Sequence, residues 1–132
     1  MTLRMLDTNS VSHLIKQHPA LVKRVLAVAM ATLCVSAVTE GELLYGLAKR
    51  PQAKRLHAAV HEFLLRVDVL PWDRASARHY GVVRAALEDT GKTLAPLDLM
   101  IAAHASSASA VLVTNDQAFR HVPRLRVEDW TV

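Results

Sequence analysis

Apolar residues follow two rhythms along this chain, short unbroken runs and longer stretches with an apolar residue every third or fourth position, and the two alternate almost from end to end. Leu3–Leu6 is the first run and predicts a strand. A helix pattern follows from about Ser10 to Gln17, and Pro19 opens another that reaches about Met30. Leu33–Val35 predicts a second strand. The next helix carries Glu42 and ends near Lys49, and Pro51 begins a further one with Leu56, Val60, Phe63 and Leu64 at helical spacing. Val67–Leu70 predicts a third strand, closed by Pro71 and Trp72. Asp73 is placed to cap a long helix through Tyr80, Val83 and Leu87 that stops at Thr90 and Gly91. A helix carrying Asp98 to about Ser107, a strand at Ala110–Val113, a short helix at Asp116–Phe119 and an edge strand at Leu125–Val127 complete the series.

Strands alternating with helices call for a mainly parallel central sheet covered on both faces, a three-layer α/β/α domain. With 132 residues, the chain makes one domain, 1–132, large enough to bury roughly two-thirds of its unfolded surface. Hydrophobic residues are 52% and charged ones 21%, which argues against a disordered binding segment. Val25–Val38 is uncharged and follows Lys23 and Arg24, but it is shorter than the roughly 20 apolar residues of a membrane span and starts too far into the chain for a signal peptide. It reads as a helix end, a turn and a strand, so no membrane partner is expected. Cys34, the single cysteine, excludes an internal disulfide or a cysteine zinc site and suits a reducing cytoplasm.

Charge changes the picture next. Sixteen basic residues against 12 acidic ones give a net charge of +4, which favours an anionic partner. Four of the scarce acids flank apolar runs: Asp7 after the first strand, Glu42 and Asp98 on helices, and Asp116 after the strand at Ala110–Val113. The carboxyl end of a strand is where ligands collect in α/β proteins, so one acidic cluster there is expected. Each acid also has a plain structural reading. Asp7 and Asp116 can cap helices, Thr39-x-x-Glu42 has the spacing of a capping box, and Asp98 lies in a first helical turn. Asp98, however, shares its face with Ile101, Ala102 and Ala105, an apolar stripe. Four clustered carboxylates repel one another unless a cation neutralises them, and oxygen-only ligands suit Mg²⁺ or Mn²⁺ better than zinc. The seven histidines show no metal-binding spacing.

Met5-Leu6-Asp7-Thr8-Asn9, Thr39-x-x-Glu42-Leu43-x-x-Gly46, Asp98-x-x-Ile101-Ala102-Ala103-x-Ala105 and Thr114-Asn115-Asp116-x-x-Phe119 stand in an order that resembles the PIN-domain ribonucleases and, within them, the VapC-type toxins of toxin–antitoxin pairs. The resemblance spans nearly the whole chain. It implies a metal-dependent endoribonuclease with Asp7 and Asp98 as primary ligands of Mg²⁺, or Mn²⁺, and Glu42 and Asp116 as secondary ones. It also implies a cognate antitoxin protein, an RNA substrate and a homodimer. Thr114 and Asn9 are candidates to orient the carboxylates, or plain turn residues.

Arg50, Lys54, His57 and His61 share one helix face, and with Arg74, Arg78, Arg120, Arg124 and Arg126 they are candidates for an RNA-binding rim around the acids. Tyr45 and Trp72 are the available stacking aromatics. Two rival readings remain. Another Mg-dependent phosphotransfer enzyme, of haloacid-dehalogenase type, expects a second aspartate where Asn9 stands, and a receiver domain expects an acidic pair that is missing. A non-catalytic RNA- or protein-binding module on the same fold would tolerate loss of any acid, and all four are present.

Overall fold

A computed structural model describes residues 1–132. Five strands, β1 (Arg4–Leu6), β2 (Leu33–Ser36), β3 (Asp68–Leu70), β4 (Val111–Val113) and β5 (Val127–Glu128), form one sheet in the order β3-β2-β1-β4-β5. Every pairing is parallel, with Met5 opposite Cys34 on one side and Leu112 on the other. Six helices connect and cover it: α1 (Thr8–Ile15), α2 (Pro19–Leu26), α3 (Ala37–Ala48), α4 (Lys54–Arg66), α5 (Arg74–Asp89) and α6 (Pro96–Ser107). The expected three-layer α/β/α architecture is therefore present.

Strand pleating divides the core in two. Met5, Cys34 and Leu112 point to a layer built on α5 and α6, with Val83, Leu87, Ile101 and Phe119. Their neighbours Leu6, Val35 and Val113 point the other way, to Val11 of α1, Leu21 of α2, Leu43 of α3, Val60 of α4 and Trp130 near the C-terminus. Both faces of the central strands are thus dry, which is why these strands read as unbroken apolar runs. Cys34 is fully buried in mid-sheet, and burial first, then the charge of Asp68, pushes its thiol up to about 11. No helix is long and apolar enough to cross a membrane.

Several boundaries differ from the sequence pattern, each for a local reason. Residues 51–53 form a turn, with Ala53 N–H bonded to Arg50 C=O at 3.1 Å, so Pro51 fixes a turn and α4 starts at Lys54; the same φ serves both purposes. Helix α2 stops at Leu26, and Met30–Thr32 makes a separate 3₁₀ turn, closed by the Thr32 hydroxyl on Ala29 C=O at 2.6 Å. Helix α1 ends at Ile15 because Gln17 adopts φ 62°, a left-handed residue that returns His18 N–H to His13 C=O at 2.9 Å. Strand β5 begins at Val127, since a turn at Pro123 and Arg124 precedes it.

The chain leaves β1 to build one half of the sheet and returns through β4 to build the other. Their shared carboxyl ends form the point where the winding reverses, the crevice where an open α/β sheet receives its ligand.

Candidate active site

Asp7 ends β1 at this reversal. Its backbone N–H bonds Val113 C=O at 3.1 Å, stitching β1 to β4, and its Oδ1 accepts from Ser10 N–H at 2.8 Å. The capping role is real, and it occupies one oxygen only. Asp7 is 3% exposed, yet no buried side-chain oxygen in the domain lacks a partner, so the second oxygen, which accepts no hydrogen bond, keeps some contact with solvent. Ser10 also donates its hydroxyl to Val113 C=O at 2.9 Å, which locks the start of α1 against β4.

Glu42 is not a capping residue. Helix α3 begins two residues before Thr39 and is capped by Ser36, whose Oγ accepts from Val38 N–H at 3.1 Å. Glu42 therefore lies one turn inside the helix, with its side chain free for other use. The Thr8 hydroxyl donates to Glu42 Oε1 at 2.6 Å and lies 3.2 Å from the hydroxyl of buried Thr39. Thr8 and Thr39 are the side chains beside Glu42 that the sequence reading did not single out. Both stood inside the quoted motifs, but their type and position fitted helix starts equally well.

Asp116 caps the short 3₁₀ segment Gln117–His121 through Ala118 N–H, at 2.9 Å. The hydroxyl of buried Thr114 accepts from Asp116 N–H at 3.0 Å, so Thr114 acts as a turn residue, bonded to the backbone of Asp116 and not to a carboxylate. Asn9, in contrast, is exposed.

Asp98 is the unusual member. It sits in the first turn of α6, where Pro96 occupies the opening position and no side chain caps the end. Half-buried and without any side-chain or backbone donor bonded to its carboxylate, it has its pKa pushed up to about 6, by burial first and then by Asp116, Glu42 and Asp7 in that order. All four expected acids are thus brought into one field centred on Asp98, and three separate stretches of chain reach it through the sheet's carboxyl edge. An acid left without a donor among like charges is a group in want of a cation.

The donor set is carboxylate oxygen throughout, which fits a hard divalent ion. No three acidic, histidine or cysteine groups approach closely enough to form a ready chelate. A dedicated cage is not what Mg²⁺ requires, because that ion keeps several waters and binds through one or two carboxylates.

Comparison with known proteins places the chain in a family. The family profile described as PIN domain matches residues 4–125. A tRNA(fMet)-specific endonuclease VapC of Shigella flexneri is 41% identical over 128 residues, covering 96% of this chain and 97% of the relative. The chain belongs to the PIN-domain family, in its VapC branch. Ribonuclease VapC2 of Haemophilus influenzae is 37% identical, over 96% of both chains. Among solved VapC structures, that of DNA-bound VapBC from Salmonella typhimurium superposes with a TM-score of 0.91 at 39% identity, covering 98% of this chain and 99% of that one. VapBC2 from Rickettsia felis, bound to a promoter DNA fragment, gives 0.89 at 30% identity, covering 96% and 98%.

The surroundings of this VapC site depart from the expected basic rim. Arg124 and Arg126 lie at the opposite edge of the sheet, beside the C-terminal end of α6 and Ala110 at the start of β4. The rim fails for them because the turn before β5 belongs to the amino edge. Trp72 is tied down, its Nε1 donating to Met100 C=O at 2.9 Å and its ring edge-on to Tyr80. Tyr45 is 65% exposed, on the same helix as Glu42, and is the stacking aromatic that remains. His104 is a core histidine as expected, buried on α6 and bonded to Ser36.

Proposed function

We propose that this chain is a metal-dependent endoribonuclease that acts as the toxin of a toxin–antitoxin pair. The observation that carries the reading is Asp98, an acid with no donor whose carboxyl is raised by burial first and then by three further acids, at the switch point of the sheet. Asp7 and Asp98 are the primary ligands of Mg²⁺ or Mn²⁺, and Glu42 and Asp116 the secondary ones. When bound, the ion supplies the positive charge that readies a water for in-line attack on a phosphodiester and offsets charge building on the phosphorus oxygens.

The protein's own part is positioning. Ser10 fixes the orientation of Asp7 through Oδ1 and leaves the other oxygen free for a ligand. Thr8 holds Glu42, and Thr114 holds the backbone of Asp116. Asp98, unheld by donors, is the acid whose charge state follows its surroundings: near neutral pH, a cation nearby draws it fully into the carboxylate form.

Two of the relatives are named for cleavage of tRNA(fMet), and that tRNA is the substrate we propose here. The named structures of the S. typhimurium and R. felis relatives are VapBC complexes, which supports a cognate antitoxin as partner. An antitoxin arginine reaching the four acids would compete with the cation, since a guanidinium pairs bidentately with a carboxylate and is always charged. Exposed Leu44, Tyr45 and Leu65 on α3 and α4 supply apolar area for such a partner or for a second toxin chain.

The test is cleavage of a tRNA(fMet) transcript by the purified chain, with Mg²⁺ and with EDTA, beside Asp98→Asn. Cleavage that needs the ion and the acid is expected. Full cleavage in EDTA by a well-folded Asp7→Asn chain would overturn the metal mechanism, and harmless expression of soluble protein in several hosts would overturn the toxin reading.

A further inference from the structure

A sizeable concavity of the domain lies away from the acids. A groove of about 740 Å³ runs between α5, the C-terminal end of α6 and the turn before β5, a size typical of small-ligand sites. Val82, Val83, Ala86 and Leu125 give it an apolar floor, and Arg124 and Arg126 supply its cationic groups. No aspartate or glutamate lines it. Neither arginine takes part in any of the three ion pairs of the domain, so two permanent cations face this groove without a counter-charge.

One of them is held there against local preference. Leu125 N–H bonds back to Val122 C=O at 3.4 Å across Pro123 and Arg124, and Arg124 has φ 64°. Proline followed by a left-handed residue is the pattern of a type II turn, whose third position favours glycine or asparagine. An arginine there carries backbone strain that glycine would not. The strained position delivers a guanidinium to the groove where glycine would deliver nothing.

We propose that this groove is a second RNA contact, an exosite that takes a nucleotide unit of the substrate with its phosphate on Arg124 and Arg126 and its base on the apolar floor. The inference rests on the nuclease reading above. Unpaired arginines select an anion, and the exposed floor, with Val82 71% accessible, selects a flat apolar ring beside it. An acidic peptide meets the first condition only. The groove adjoins Ala110, four residues along β4 from Thr114, hence roughly 13 Å from the acidic edge. A strand cut at the acids carries a phosphate at every nucleotide, so a folded RNA engages both ends of β4 together, and a short one engages the acids alone.

The experiment compares Arg124→Gly and Arg126→Gln with the unaltered chain on two substrates: a tRNA(fMet) transcript, and a short oligonucleotide bearing only the mapped cut site and its immediate neighbours. For the tRNA, each variant is expected to raise KM about tenfold with kcat unchanged, and to flatten the salt dependence of binding. The short substrate should be cleaved as before. Arg124→Gly relaxes the turn, so it should melt no lower than the parent, which separates lost binding from lost folding. Unchanged KM for both substrates overturns the exosite. So does equal loss on both, which would assign the arginines to the cut site, and so does AMP that binds the unaltered chain but not Arg124→Gly while tRNA KM stays constant, which would assign the groove to free nucleotide. If the unaltered chain cleaves neither RNA, the nuclease reading fails by itself. Anisotropy of labelled tRNA in EDTA then decides the groove, with binding that is equal in all three proteins counting against it.

Discussion

Ser36 Oγ and His104 Nδ1 lie 2.7 Å apart in the core, and this one contact joins the cap of the helix that carries Glu42 to the helix that carries Asp98. Ser36 accepts from Val38 N–H, so its own proton is available to the imidazole. Burial pushes the His104 pKa down, with a smaller opposing effect from Asp73. A histidine with a depressed folded pKa adds stability above its unfolded value, and that part is lost as pH falls through the folded one. His104→Ala should therefore cost about 2–4 kcal/mol in urea melts near neutral pH, from the cavity and the stranded Ser36 hydroxyl. The gap to the parent should narrow below about pH 6.

Asp98 has the opposite sign. Its folded pKa of about 6 exceeds the ordinary 3.8, so the metal-free fold gains stability as pH falls from about 6 toward 4. Asp98→Asn should stabilise the metal-free chain at about pH 8 by roughly 1 kcal/mol, a figure reduced for the solvent around a half-exposed group. That advantage should vanish by about pH 4, while RNA cleavage is absent throughout. Equal pH profiles for the two proteins would contradict the crowded-acid account.

Thr8→Val keeps the shape of the side chain and removes the hydrogen bond to Glu42 Oε1. Glu42 is then free to swing, and activity should drop about tenfold while stability stays within about 1 kcal/mol. Steady-state cleavage beside a thermal melt checks both parts. A loss as large as that of Asp98→Asn would make Thr8 more than a positioning residue.

Gln17 offers a control that belongs to neither set of site residues. At φ 62° it holds a position made for glycine, so Gln17→Gly should raise the denaturation midpoint, by about 0.5–1 kcal/mol in free energy, and leave cleavage alone.

The layer order and the four acids were legible because they rest on the strongest signals a chain carries. Unbroken runs such as Val111–Val113 can only be buried strands here, and acids at run ends mark the carboxyl edge. What escaped the reading was decided by residues that fit two structures equally. Pro51 has one φ for a helix start and for a turn. Gln17 and Arg124 occupy left-handed positions with no glycine to announce them, so α1 read two residues too long and Arg124 was assigned to the wrong edge. Glu42 was ambiguous because Thr39-x-x-Glu42 has capping spacing, and only the true helix start at Ala37 removes that role. Thr8 needed tertiary information outright, since its partner lies 34 residues away in sequence.

Cys34 lies in the middle of the sheet, paired with Met5 on one side and Asp68 on the other. No solvent-borne reagent can touch its sulfur while those strands are closed, and with a pKa near 11 the thiol stays protonated at working pH. A thiol-reactive dye is then a stopwatch for the whole domain: each labelled molecule is one that has opened its centre. Because the chain has a single sulfhydryl, the clock has no background. Slowing of that clock in the purified protein by added Mg²⁺, tRNA or a partner protein would reveal which of them grips the closed state.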